Sequence, residues 1–317
     1  MKKKINTIII GLGRIGIGYD EYTPNVTLTH YKAIKKHKNF KLIGCIDVNK
    51  INREKFIKKY KIPCFKNLSE IKDKIYPELA IIASPTNTHY QVIKEILKNH
   101  KKITSILCEK PFGSKHEDAN KILQICKKNK VKLFVNYMRT ADPGVIKTLK
   151  IIRSKFNKNC KGTVFYDGNT LNQASHLINL LQFWFGESGS IKLIKSDKGN
   201  KQLVGQNFIL SFINKSFIFI GLNFSKYSYA SIEIISPTGR IHYLERGEKI
   251  QWQKIQKDML YKEDNIPNKK IINIKNDMKN CQLNVLNQLY SSLIGKKSYL
   301  CEGYSAIQTL KLINKII

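Results

Sequence analysis

The chain of 317 residues is poor in acids, in arginine and in long apolar runs. It carries 23 Asp and Glu against 56 Lys and Arg, a formal charge of +33. Only six of the cations are arginine (positions 14, 53, 139, 153, 240 and 246), so lysine supplies the surplus. The lysines recur on nearly every polar stretch, as at Lys35, Lys36, Lys58, Lys59, Lys127, Lys128, Lys269 and Lys270, instead of gathering in one stripe. A nucleic-acid surface concentrates its cations, places arginine on base edges and interleaves aromatics for stacking, so no nucleic-acid partner is expected. No apolar run approaches the ~20 residues of a membrane helix, and no membrane partner is expected. The 8 prolines and 18 glycines are too scattered for a collagen-like or low-complexity chain. The 7 cysteines form no C-x-x-C pair and the 7 histidines no H-x-x-x-H, so no metal site is expected. Neither G-x-S-x-G nor a Walker loop occurs, which leaves hydrolase and kinase readings without a foothold. An odd number of thiols, with Cys45 and Cys108 inside apolar runs, reads as reduced and cytoplasmic. The apolar run Ile5–Ile10 after the lysines at the start is too short for a signal peptide.

What the chain does have is a strict alternation. Ile/Val/Leu-rich runs of strand length at 5–10, 40–46, 79–83, 103–108 and 131–135 alternate with amphipathic segments near 29–37, 50–60, 88–99 and 115–129. Continuous apolar runs belong to strands buried on both faces, so this part is an α/β unit with a parallel sheet and crossover helices. After about residue 155 the rhythm changes. A strand-like run at 162–166 and a helical segment at 173–185 are followed by strand-like stretches at 191–195, 203–212, 216–224, 229–236 and 239–244. Turn residues between them imply short antiparallel connections. Helical segments at 277–294 and 304–316 finish the chain. We therefore expect an α/β domain with a parallel sheet at 1–140. A second domain of α+β class, with antiparallel strands, is expected at 141–317.

Gly11-Leu12-Gly13-Arg14-Ile15-Gly16 follows the first strand as G-x-G-x-x-G. Such glycines allow a tight turn and bring backbone N–H groups, including those of Arg14 and Ile15, to a pyrophosphate at a helix N-terminus. A carboxylate, Asp47, closes the second strand, where it can bond ribose hydroxyls and repel a 2′-phosphate. NAD is therefore expected over NADP, although Lys50 and Arg53 are cations that a 2′-phosphate would meet. Asp47 lies 31 residues past Gly16, against roughly 20 in the ordinary fingerprint. The excess falls at 18–26, which is either a flap beside the pyrophosphate turn or a plain surface loop. Ser84-Pro85-Thr86-Asn87-Thr88-His89 ends the third long run with hydroxyls and amides at the carboxyl edge of the sheet, where ligands bind in open α/β sheets. Cys108-Glu109-Lys110-Pro111 ends the next one, and its proline biases Lys110 away from helix and permits a cis bond.

The order GLGRIG, CIDVN, ASPTNTHY, CEKPFG and VNYMRT resembles the Gfo/Idh/MocA family of nicotinamide-dependent oxidoreductases. The resemblance implies a dinucleotide-binding Rossmann domain at 1–140 followed by an α+β domain with a largely antiparallel open sheet, for substrate binding and oligomerisation, at 141–317. It implies a sugar, cyclitol or nucleotide-linked sugar as substrate. It implies NAD held by Gly11, Gly13, Arg14, Ile15, Gly16, Asp47, Ser84, Pro85, Thr86, Asn87, His89, Glu109, Lys110 and Asn136. It also implies Lys110 as the acid/base, Arg139 as a cofactor or substrate contact, and a homodimer or homotetramer. The family's second element, similar to D-x-G-x-H-x-x-D, here reads Asn172-Gln173-Ala174-Ser175-His176-Leu177-Ile178-Asn179. His176 is kept, while both acids are amides; a neutral Asn172 can bond a substrate hydroxyl but cannot take its proton. These residues point to hydride transfer between NAD(H) and a sugar or nucleotide-sugar hydroxyl or carbonyl, with Lys110, His176 and Asn172 at the reacting group. A dinucleotide-binding sensor with little turnover and a reductase of another carbonyl or imine are the alternatives.

Overall fold

The structure is a computed structural model and describes residues 3–71, 75–113, 115–156, 159–186, 189–195, 204–224 and 227–317. The chain divides into two compact units: Met1–Ala141 with Lys279–Ile307, and Asp142–Met278 with Gln308–Ile317.

The first unit is built on β1 (Ile5–Ile10), α1 (His30–Lys36), β2 (Phe40–Ile46), α2 (Lys50–Tyr60), β3 (Cys64–Phe65), β4 (Leu79–Ile82), α3 (His89–Asn99), β5 (Ser105–Cys108), α4 (His116–Lys128) and β6 (Lys132–Val135). The strands lie in the order β6-β5-β4-β1-β2-β3, all parallel. β4 and β5 are buried at every position, as crossover helices on both faces require. The amphipathic segments expected at 50–60, 88–99 and 115–129 are α2, α3 and α4. Asn49 caps α2 by accepting from the Ile51 and Asn52 amides.

The second unit begins with α5 (Pro143–Lys155), started by Asp142 as N-cap and a proline at its first position. It continues with β7 (Cys160–Tyr166), α6 (Ser175–Phe185), β8 (Ser190–Lys195), β9 (Asn207–Phe212), β10 (Lys215–Gly221), β11 (Ala230–Ser236), β12 (Gly239–Leu244), β13 (Lys249–Lys257) and β14 (Asn265–Ile274). The order β14-β13-β12-β11-β7-β10-β9-β8 is antiparallel except for the β7–β10 pair. One face is apolar: β9 and β12 bury alternate residues, and the rings of Phe208 and Phe219 stack at 4.3 Å. β13 and β14 are additions to the sequence reading, which ended the strands at residue 244.

α7 (Cys281–Leu293), the antiparallel edge strand β15 (Cys301–Glu302) beside β6, and the start of α8 (Gly303–Ile313) complete the first unit. Val285, Leu286 and Leu289 of α7 lie in one core cluster with Ile9, Phe40, Leu107 and Phe134. Among the described residues no helix is long and apolar enough to cross a membrane.

Candidate active site

The glycine turn shows what each glycine does. Gly11 has φ +99°, and a Cβ there would lie 2.6 Å from the Ala83 carbonyl oxygen. A Cβ on Gly16 would lie 2.4 Å from the Gly11 oxygen. These two close the turn. At Gly13 a Cβ would meet nothing within 4 Å, so the outer side of the turn is bare backbone, open to an approaching group. The helix expected here is one π-turn, Arg14–Gly18, in which Tyr19 N–H donates to the Arg14 carbonyl. Gly16 and Gly18 weaken any longer helix, and Asp20 is engaged further on. Buried to 2% exposure, Asp20 accepts from the Leu28 and Thr29 amides and from the Thr29 hydroxyl. The 18–26 insertion is thereby tied to the start of α1. Its chain also bonds to the α7 segment, with Thr27 N–H donating to the Lys279 carbonyl and Gln282 N–H to that of Thr27.

Asp47 stands at the end of β2 with both oxygens in use. Oδ2 accepts the Leu12 amide at 2.7 Å and Oδ1 the Asn49 amide at 2.8 Å. Arg53 does not face outward as a free cation: its Nη1 donates to the Asp47 and Val48 carbonyls at 2.8 and 2.9 Å. A cleft of about 660 Å³ opens beside this turn. Gly11, Gly13, Asp47, Ser84 and Pro85 line it, and so do Asn52, Lys66 and Leu68, which the sequence did not single out.

Ser84 and Thr88 hydroxyls bond each other at 2.7 Å across the short 3-10 turn Thr86–Thr88. Of the predicted residues in this loop, Thr86 and Asn87 sit on the turn without lining the cleft. His89 is wholly buried behind it. Its Nε2 lies 2.9 Å from the Ser84 carbonyl oxygen and its Nδ1 3.3 Å from Cys108 Sγ, so it ties the β4 loop to the end of β5. Burial pushes its pKa below the ordinary imidazole value, partly offset by the bond to Ser84.

At the end of β5, the Lys110–Pro111 bond is cis. Burial lowers the Lys110 pKa from the usual lysine value; the Arg139 guanidinium lowers it further and the Glu109 carboxylate opposes. Arg139 is itself 4% exposed, in the turn Met138–Ala141. Burial would push Glu109 up, but His30, the Asn136 amide and Lys110 outweigh it, leaving the carboxyl below its ordinary value. His30 Nε2 donates to Glu109 Oε1 at 2.7 Å, and Asn136 Nδ2 donates to the same oxygen at 2.5 Å. Asn136 Nδ2 also reaches Gln282 Oε1 at 3.1 Å, while Asn136 Oδ1 is buried without a hydrogen-bond partner. Around Glu109, His30 and Gln282 are the residues that sequence reasoning missed. They stand far from Glu109 in the chain, and the only local signal was the Thr29 cap immediately before His30.

In the second unit, Asn172 lies in a π-turn, Thr170–Ala174, capped by Asn169, and His176 is in the first turn of α6 at 9% exposure. Asn179 is 4% exposed and donates to the Thr309 hydroxyl at 3.1 Å, so the second amide of the motif is engaged within the unit.

Gly13's bare backbone, the carboxylate at the end of β2 and the cleft between them fit a dinucleotide. Among the described residues no cluster of three or more His, Cys, Asp or Glu could hold a metal ion. The family model described as "Oxidoreductase family, NAD-binding Rossmann fold" (GFO_IDH_MocA) matches residues 5–137. A glucose-6-phosphate 3-dehydrogenase from Bacillus subtilis is 30% identical over 142 residues, 44% of this chain and 37% of that protein. The match thus spans little more than a third of that curated relative's length. A crystal structure of a putative NADPH-dependent oxidoreductase from Desulfitobacterium hafniense shares the fold with a TM-score of 0.81 at 15% identity, covering 99% of this chain and 94% of that one. The WlbA dehydrogenase from Bordetella pertussis, solved with NADH and UDP-GlcNAcA, does so with a TM-score of 0.77 at 17% identity, covering 100% and 95%. Residues 5–137 of this chain thus match the NAD-binding Rossmann module of the Gfo/Idh/MocA oxidoreductase family.

Proposed function

We propose that the protein is an NAD(H)-dependent dehydrogenase that interconverts a hydroxyl and a carbonyl on a sugar or nucleotide sugar, with Lys110 as acid/base. The observation that carries this reading is a lysine beside a buried carboxylate at the carboxyl edge of the parallel sheet, its pKa lowered by burial and Arg139. A lysine lowered toward neutrality can take a hydroxyl proton in one direction and return it in the other.

The cofactor supplies or accepts the hydride. For its binding we assign the bare backbone at Gly13, with Arg14 and Ile15, to the diphosphate, and Asp47 to the adenosine ribose. Ser84 and Pro85 wall the cleft. Arg53 supports NAD over NADP, because its guanidinium is already committed to two carbonyls and does not stand free for a 2′-phosphate. In the second unit, Asn172 and His176 are assigned to a substrate hydroxyl, Asn172 positioning it and His176 orienting it. The surplus of lysine would speed the approach of an anionic substrate such as a sugar phosphate or nucleotide sugar. The 7 cysteines are free thiols, in keeping with a cytoplasmic setting, and a homodimer or homotetramer is the proposed assembly.

The test is turnover with NAD against glucose 6-phosphate and UDP-linked N-acetyl sugars, wild type beside Lys110→Ala. The variant is expected to keep NADH affinity within a few-fold and lose at least ~100-fold in kcat. Near-wild-type turnover would remove Lys110 from the mechanism. Absence of any hydride transfer by the wild type across the panel would favour the sensor reading.

A further inference from the structure

We propose that His30 is a positioning residue for Lys110, acting through Glu109: the imidazole and the Asn136 amide grip one carboxylate oxygen and fix that carboxylate next to the lysine. The proposal rests on the acid/base reading of Lys110 given above.

The residues involved come from four parts of the first unit. His30 opens α1, Glu109 follows β5, Asn136 follows β6, and Gln282 lies in α7. His30 is 1% exposed, Asn136 3% and Gln282 0%, and the Glu109 side chain is 14% exposed. Their bonds form a closed ring. Gln282 N–H donates to the Thr27 carbonyl, Asn136 Nδ2 bridges Gln282 and Glu109, and His30, three residues on from Thr27, returns to Glu109. Asp20 anchors the Thr27–His30 strip from outside the ring. The long insertion therefore acts as a strut behind the lysine.

A buried carboxylate is ionised only while donors hold it, and two of its donors are His30 and Asn136. Other charged or titratable groups that interact with this pair are the Arg139 guanidinium after β6, the His89 ring of α3, the Cys108 thiol of β5 and the Cys281 thiol of α7. Without the His30 donor, Glu109 takes up a proton more readily. Lys110 then loses a neighbour that favours its ammonium form, while Arg139 and burial continue to oppose that form.

The experiment measures the ionisation of Lys110 directly. The full chain is acetylated with limiting acetic anhydride from pH 6 to 10.5, and modification of Lys110 is quantified by peptide mass spectrometry. The midpoint in His30→Leu and in Glu109→Gln is expected about one pH unit below wild type. In His30→Gln, which keeps a donor near the Nε2 position, it is expected within a few tenths of wild type. His30→Leu on the Glu109→Gln background should add no further shift. An unmoved midpoint in Glu109→Gln, or a His30→Leu shift that persists on that background, would overturn the proposal. NADH binding and melting temperature report folding; if His30→Leu does not fold, His30→Asn, whose amide is too short to reach, replaces it. Labelling needs no substrate, so a failed search for dehydrogenase activity would leave this measurement standing, and the converse also holds.

Discussion

Asp47 Oδ2 accepts the Leu12 amide at 2.7 Å, so the carboxylate that ends one strand holds the glycine turn that ends its neighbour. The same group lines the cleft assigned to the adenosine half of the cofactor. It therefore shapes the backbone of the glycine turn as well as lining that cleft. A charge-assisted bond of this kind contributes ~1.5–3 kcal/mol. Asp47→Ala should weaken NADH binding by about tenfold or more and narrow the gap between NADH and NADPH. Fluorescence titration of both nucleotides checks it; an unchanged NADH affinity would count against the assignment.

Gly11 and Gly13 should separate cleanly on substitution. Gly11→Ala places a Cβ against the Ala83 carbonyl in a left-handed conformation, so it should cost ~1–3 kcal/mol of stability and lower the melting temperature by several degrees. Gly13→Ala meets no protein atom within 4 Å, so the melting temperature should hold while NADH affinity falls at least about tenfold. Thermal melts beside nucleotide titrations decide this. Equal melting temperatures for the two variants would contradict the packing described.

His89 gives a pH dependence with a definite sign. Its folded-state pKa lies below the ordinary value because burial disfavours the imidazolium. Its contribution to stability is then fully present above the unfolded value near 6.5 and is lost as pH falls toward the lowered one. The wild type should lose melting temperature between pH 7.5 and pH 5. His89→Gln, which supplies a donor and an acceptor without titrating, should lose less over that interval. His37 and His242 are also lowered by burial, so the slope should shrink without vanishing.

Much of this was legible in the residues. The apolar runs at 5–10, 40–46, 79–83 and 103–108 could only be strands covered on both sides, and each ends in a motif at the same edge of the sheet. β13 and β14 were not legible, because Lys249–Lys257 is rich in Lys and Gln and Asn265–Ile274 carries a proline and two adjacent lysines. Strands with so little alternation show no period. α5 had its signal in Asp142-Pro143, a cap followed by a proline at the first helical position. The ring around Glu109 was out of reach for a different reason. Local patterns report which face of an element is apolar, whereas His30, Asn136 and Gln282 meet only when β5, β6, α1 and α7 are assembled.

That assembly has a consequence for biosynthesis. Val285, Leu286 and Leu289 share a core cluster with Ile9, Leu107 and Phe134, so the nucleotide-binding unit is stitched from both sides of an intervening one. A nascent chain that has left the ribosome only as far as Ala141 has its parallel strands but lacks the helix that seals them. It must wait, through the synthesis of the whole intervening unit, with oily surface uncovered, which makes it a natural client for a chaperone. A fragment cut at Ala141 would never receive its cover and should precipitate when expressed alone.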